Sequence, residues 1–329
     1  IQDPNGECSH PWRDDYGDGW QDLYELYLAV NQDEKNYAKI FVPTDSYEEA
    51  FNTNITYRLR AQAPKDWRQE TGLKKFISRF SNNTSWALNS KITDDDLATR
   101  LLPLNVSDEQ LLSTRESFRS TLFFNQQSSK FAADIGVLQA LNRQLLINGF
   151  EGFRNADMRA HVRWKINRRA NLDLTYIDLE RSSDSDVLTQ RNYLVTGDSY
   201  QPSLSWQPTN SIRLTSAVSL REKANQSSDT QGENSSIREI LFDFRYSKAA
   251  KTTMNGTIKL INIDFTGEEN SPVGYELLEA LRPGRNYTWN LNLQQRLGKG
   301  LQLSIRYDGR KSGDRRAIHV GRVQVSALF

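Results

Sequence analysis

The sequence predicts an all-β fold: an antiparallel transmembrane β-barrel of roughly 12 to 14 strands, preceded by a short calcium-loop and helix segment. Three observations predict it. Apolar and polar residues alternate over segments of about ten residues, the length that a tilted membrane strand needs. The connections between those segments alternate short and long. The composition is hydrophilic yet aromatic: of 329 residues, 37% are hydrophobic and 10% aromatic, and the mean hydropathy is -0.68. A barrel reconciles these values, because only alternate residues of each strand meet lipid. The aromatic content argues against a disordered chain. No stretch approaches the roughly 20 apolar residues of a membrane helix.

The alternation is clearest at the C-terminal end. His319, Gly321, Val323, Val325, Ala327 and Phe329 share one face, and Arg322, Gln324 and Ser326 the other. Leu301, Leu303, Ile305 and Tyr307 alternate with Gln302, Ser304, Arg306 and Asp308. Tyr287, Trp289, Leu291 and Leu293 alternate with Thr288, Asn290, Asn292 and Gln294. The same period runs through Ile240 to Tyr246, Ile212 to Leu220 and Met158 to Ile166. One segment departs from it: Ile258 and Leu260 share a face, and then Ile261, Ile263 and Phe265 take the opposite one. A β-bulge near Leu260 would explain that switch.

Long links are expected at residues 138–155, 180–190, 223–235, 266–285 and 311–316. Short ones are expected at 167–170, 208–210, 248–251 and 298–300. This asymmetry matches barrels with short periplasmic turns and long external loops, and puts the C-terminus on the periplasmic side. A soluble β-sandwich has no reason to alternate its loop lengths in this way. Upstream, strands are expected at 130–137, 118–124, 80–92 and 49–61, with one more at 36–43. Gly72 to Ile77 reads as a short amphipathic helix. An even strand number is expected for a single-chain barrel.

Residues 1–35 form a segment apart from the barrel at 36–329. Asp14, Asp18, Gly19 and Glu25 fill positions 1, 5, 6 and 12 of an EF-hand-like loop, where oxygen ligands and a sharp glycine turn are needed. Trp20 would offer its carbonyl, and Asp22 would act directly or through water. Tyr16 stands at position 3, where Asp or Asn is expected, which costs one ligand. Calcium is the cofactor this pattern admits, and residues 22–30 would form the exiting helix.

Other chemistry is sparse. The formal charge of +1 gives no reason to expect a nucleic-acid partner. Cys8 is the only cysteine, so neither an internal disulfide nor a cysteine zinc cluster can form. The histidines are His10, His161 and His319, and no serine lies in a nucleophile-elbow motif, so no active site is expected. The chain starts at Ile1 without methionine or leader, which predicts a processed protein or, preferably, a fragment of a longer one. The alternation places Arg159, Arg163, Lys165, Arg213, Arg221, Arg245, Arg296, Arg306 and Arg322 toward a lumen. They would form an anion-attracting wall or, the favoured reading, a wall neutralised by Asp173, Glu239, Asp243 and Asp308 and plugged.

The terminal strand, with Val323, Val325, Ala327 and Phe329 on one face, resembles the signal by which bacterial barrels are recognised for outer-membrane insertion. That resemblance implies the barrel assembly machinery as a partner, beside outer-membrane lipid. More broadly the chain resembles the C-terminal part of a family of large, mostly uncharacterised outer-membrane proteins of Bacteroidota. The matching segments are Gly17 to Glu25, Leu73 to Phe80, Asn148 to Gly152, Gly274 to Gly284 with Asn286 to Trp289, and Ile318 to Val325. The resemblance implies extramembrane domains upstream and supplies no catalytic residues. The functional expectation is an outer-membrane barrel serving as anchor, channel or component of a transport or assembly complex with other outer-membrane or surface proteins. The alternative is a secreted all-β adhesin or carbohydrate-binding module.

Overall fold

The computed structural model describes residues 12, 13, 19, 27, 37, 49–103, 106–147, 149–227, 232–249, 251–298 and 300–327. The loop residues Asp14, Asp18, Trp20, Asp22 and Glu25, the helix expected at 22–30, the strand expected at 36–43 (save Tyr37) and Phe329 lie outside them. The chain divides into two units, Ile1–Glu49 and Ala50–Phe329. In the first, the Arg13 guanidinium lies 4.7 Å from the Tyr27 ring centroid.

The second unit is one antiparallel sheet of 13 strands in strict chain order. They are β1 (Phe51–Gln62), β2 (Phe80–Ile92), β3 (Leu111–Phe124), β4 (Phe131–Leu146), β5 (Gly149–Lys165), β6 (Ala170–Ser185) and β7 (Tyr193–Thr209). Then come β8 (Ile212–Asn225), β9 (Asn234–Lys248), β10 (Thr252–Thr266), β11 (Gly284–Gly298), β12 (Leu301–Ser312) and β13 (Ile318–Ala327). Among the described residues three short α-helices sit in the links: α1 (Leu73–Ile77), α2 (Leu97–Leu101) and α3 (Pro272–Leu277). The helix expected after Gly72 is α1. Each strand bonds to its chain neighbours, and among the described residues no register joins β1 to β13. Thirteen strands are seen among the described residues, where an even number was expected; the further strand expected at 36–43 lies outside them, save Tyr37.

Two expectations are corrected. No bulge interrupts β10: its register with both β9 and β11 runs without a shift from Thr252 to Ile263. The hydrophobic pattern changes face because the surroundings change face. Ile258 and Leu260 stand on one face, 53% and 38% exposed, whereas Ile261 and Ile263 are buried on the other beneath a loop. The long link expected at 138–155 is strand instead. β4 runs to Leu146 and β5 begins at Gly149, so the two meet through a tight turn. Leu138, Ala140 and Leu141 put apolar groups on both faces there, which hides the period of two.

The remaining links largely keep the expected asymmetry. Residues 166–169, 210–211, 249–251 and 299–300 join strands at one end, and 186–192, 226–233, 267–283 and 313–317 at the other. The link 63–79, with α1, is long at the short-turn end. There Phe76, Phe80 and Phe124 form an aromatic group with centroids 5.1 to 6.3 Å apart. Prolines fall where the ladder tolerates them. Pro202 has no β8 partner in the register, and Pro208 sits in the shift between Trp206 and Thr209. Gly309 is required by a neighbour, since a Cβ there would come within 2.2 Å of the Trp289 indole.

Candidate functional site

Following the register across the sheet separates two faces. Trp206, Leu214, Phe244, Gly256, Leu291 and Tyr307 form one row on the apolar face. Leu204, Ser216, Phe242, Ile258, Trp289 and Gly309 form the next. Among the described residues no second sheet covers them: Trp206 is 48% exposed, Phe242 51% and Ile258 53%. Val323 and Val325, 67% and 60% exposed, continue this face in β13 together with Ala327.

All nine basic residues singled out in the sequence fall on the opposite, polar face. Arg213, Arg245, Asn255, Asn292, Arg306 and Arg322 form a single row across six strands. Two pairs of arginines stand directly opposite one another in it, a costly arrangement for like charges. The acids expected to neutralise this face do so unevenly. Asp308 holds Arg306 at 2.8 Å, but Asp173 is taken by His161 and Asp243 accepts the Thr257 hydroxyl at 3.0 Å. Among the described residues no carboxylate lies within 4.0 Å of Arg213, Arg245 or Arg322.

At the long-loop end the polar face is covered. The link between β10 and β11 folds onto β7 to β10 and carries α3, whose Ser271 cap accepts from the Gly274 amide at 2.9 Å while Pro272 occupies the first turn. Val273 and Leu277 of α3 pack with Val195, and Leu278 packs with Ile237, Ile261 and Ile263. These residues are at most 6% exposed. The Ser235 hydroxyl donates to the Leu277 carbonyl at 2.9 Å, fastening the helix end to β9.

Below that apolar contact lies an ion cluster. Glu239 binds Arg221 at 2.9 Å and Lys259 at 3.0 Å. Glu279, from the loop, binds Lys223 at 3.0 Å and lies 3.3 Å from Arg221 Nε. The Arg221 Nε–H is not directed at that oxygen and has no hydrogen-bond acceptor, so the contact is one of charge alone. Lys223 also donates to the Glu276 carbonyl at 3.3 Å. The Glu239 and Lys223 side chains are 8% and 5% exposed. Three cations thus face two carboxylates where desolvation makes each partner necessary. Glu279 and Ala280 reach this position with φ of 53° and 60°, a left-handed pair that non-glycine residues adopt at a cost.

Sequence reasoning found Arg221 and Glu239 but not Lys223, Lys259 or Glu279. The available signal was the face switch after Leu260, which marks apolar residues turned toward an inner cover.

His161 sits on the polar face between Asp134, 2.9 Å from Nδ1, and Asp173, 3.3 Å from Nε2. Each ring nitrogen is thus within hydrogen-bond distance of a carboxylate. The cluster is a hydrogen-bonded brace across β4, β5 and β6.

A second covered region lies on the apolar side of the sheet. The 93–110 link, with α2, meets Ile92, Leu111, Phe150 and Phe51 through Val106. Asp96 caps α2, its carboxyl held below the ordinary value of 3.8 by the Thr99 amide. Asp108 is likewise lowered by its bond to Arg143, which also stacks 4.3 Å from the Phe150 centroid.

No family model and no curated protein matches this chain. Among solved structures it is similar to a Pseudomonas aeruginosa FadL homologue, with a TM-score of 0.37 and 11% identity over 82% of this chain and 75% of that one. It is also similar to the translocator domain of the autotransporter NalP from Neisseria meningitidis, with a TM-score of 0.28 and 11% identity over 87% and 90% of the two chains. Both likenesses are remote, and neither carries a function to this chain.

Proposed function

We propose that the chain is an integral bacterial outer-membrane β-barrel, its apolar face in lipid and its polar face lining a lumen. It would serve as membrane anchor, channel or component of an outer-membrane transport or assembly complex. The observation that carries this reading is the bare apolar face. A water-soluble antiparallel sheet buries one face against a second layer, whereas here Trp206, Phe242 and Ile258 stand about half exposed with no layer above them among the described residues. In lipid such a sheet must also close, because unpaired edge groups find no water.

The α3 loop narrows the lumen at the long-loop end, and the arginine row draws anions along the wall beyond it. The short turns and the C-terminus face the periplasm. Outer-membrane lipid and the barrel assembly machinery are the partners this implies, with other outer-membrane or surface proteins beside them. The chain is not an enzyme in this reading. Calcium held by Asp14, Asp18, Trp20, Asp22 and Glu25 would order the N-terminal unit alone, so chelation should raise protease cleavage within residues 12–30 and spare the sheet.

The test is expression in a Gram-negative host, followed by fractionation and electrophoresis with and without boiling. Recovery from the outer membrane only with detergent, and a band that migrates faster unboiled, are expected. Recovery as a soluble secreted protein would overturn the proposal in favour of an adhesin or carbohydrate-binding module.

A further inference from the structure

The apolar face is not uniform. Around Phe242 and Phe244 of β9 it is indented, because the neighbouring strands carry small residues in the same rows: Ser216 beside Phe242 and Gly256 beside Phe244. Trp206 and Trp289 bound the indentation, which forms an apolar groove of about 680 Å³. A smooth lipid-facing wall needs no such groove. Its depth is built in, since a Cβ at Gly256 would stand only 3.2 Å from the Asn290 carbonyl.

Charge lies at one end of it. Toward the long loops, the next two rows of this face run Val218, Ile240, Leu260, Tyr287, Lys311 and Leu220, Arg238, Asn262, Arg285. They hold three cations and no carboxylate. Asp264, a row further on, pairs with Arg238 at 3.3 Å. Arg285 and Lys311 are exposed and make no side-chain ion pair among the described residues. Arg285 is four residues along β11 from Trp289, about 13 Å at the rise of a strand, and Lys311 two residues from Gly309, about 7 Å.

An apolar slot with two free cations a headgroup's distance above its mouth is complementary to one amphiphile. We infer that the groove seats an acyl chain of a phosphate-headed lipid whose phosphate is held by Arg285 and Lys311. This rests on the proposal that the apolar face meets lipid, and adds that one anionic lipid is bound at a fixed place. Arg285 supplies paired donors suited to phosphate oxygens and Lys311 a point charge. A zwitterionic lipid would fill the groove equally well but would gain less from two cations.

The full chain, extracted in detergent, is mixed with phosphatidylglycerol and separately with phosphatidylcholine of the same acyl chains, and bound lipid is counted by native mass spectrometry. One phosphatidylglycerol should survive detergent removal at about tenfold lower concentration than phosphatidylcholine. The double variant R285Q/K311Q should abolish that preference and still bind both lipids weakly. Ser216→Phe, which fills the groove and leaves the cations, should weaken both lipids together. Equal retention of the two lipids by the wild-type chain would overturn the site, as would a preference that survives R285Q/K311Q. The heat-modifiable band checks that each variant is folded. Its loss in the wild-type chain would refute the membrane reading itself, a different failure from equal retention by a folded barrel.

Discussion

Two loops at the same end of the sheet do similar work on opposite faces. The 267–283 loop lies on the polar face of β7 to β10, and the 93–110 loop on the apolar face of β1 to β5. Each combines a short capped helix, an apolar patch and a link between charged groups, but the environments differ. Under the first loop Lys223, Glu239 and Arg221 are nearly closed off, at 5%, 8% and 14% exposure, while Lys259 and Glu279 at its margin stand at 39% and 33%. The Arg143–Asp108 pair of the second stands at 26% and 63%. Coulomb attraction between exposed groups is screened and worth little; between buried ones, loss of either partner strands the other. The first loop should therefore be a fixed plug and the second a lightly held cover.

The largest effect is expected from Glu239→Ala. It leaves Arg221 and Lys259 facing each other without their common carboxylate, and should destabilise the sheet by about 3–5 kcal/mol. Denaturant unfolding of the detergent-extracted chain measures it. A loss no larger than that of a surface pair would mean that water reaches the cluster.

Next comes Leu277→Ala. Leu277 is fully buried, so the truncation should cost about 2–5 kcal/mol of loop docking. Protease cleavage within 267–283 should rise steeply while the band pattern of the strands is unchanged. Cleavage equal to wild type would show that α3 is held by something other than its apolar contact.

The smallest effect concerns the cover. The Asp108 carboxyl is lowered by its Arg143 partner, so its contribution is fully present above the ordinary value near 3.8 and is lost as pH falls below it. Asp108→Asn should reproduce at neutral pH the protease sensitivity that the wild-type 93–110 loop gains in acid. A variant as resistant as wild type would assign the docking to Val106 alone.

The sheet was legible in the sequence wherever one face was wholly apolar and the other wholly polar. Tyr287 to Gln294 declares its strand and its faces in eight residues, and the nine basic residues from Arg159 to Arg322 fell on one face by parity alone. Legibility failed where both faces meet protein. Ile261 and Ile263 looked like a bulge because their apolar side turned inward, and the residue that covers them, Leu278, lies in the following loop. Leu138 to Leu141 looked like a loop for a related reason. The buried ion cluster was only half visible, since Glu279 reaches Lys223 from a loop whose fold depends on two left-handed residues that no local pattern announces.

The central claim is that the face bearing Ile258 meets lipid and the face bearing Thr257 does not. Arginine placed at each position in turn, one residue apart on β10, tests it most directly. Ile258→Arg should destabilise the folded chain in lipid by roughly 2–4 kcal/mol if it lies near the midplane. Thr257→Arg, beside Asp243, should be tolerated within about 1 kcal/mol, as an exposed ion pair is worth no more. Unfolding measured in vesicles should therefore separate the two variants clearly. Equal tolerance at both positions, or greater damage at Thr257, would contradict the account.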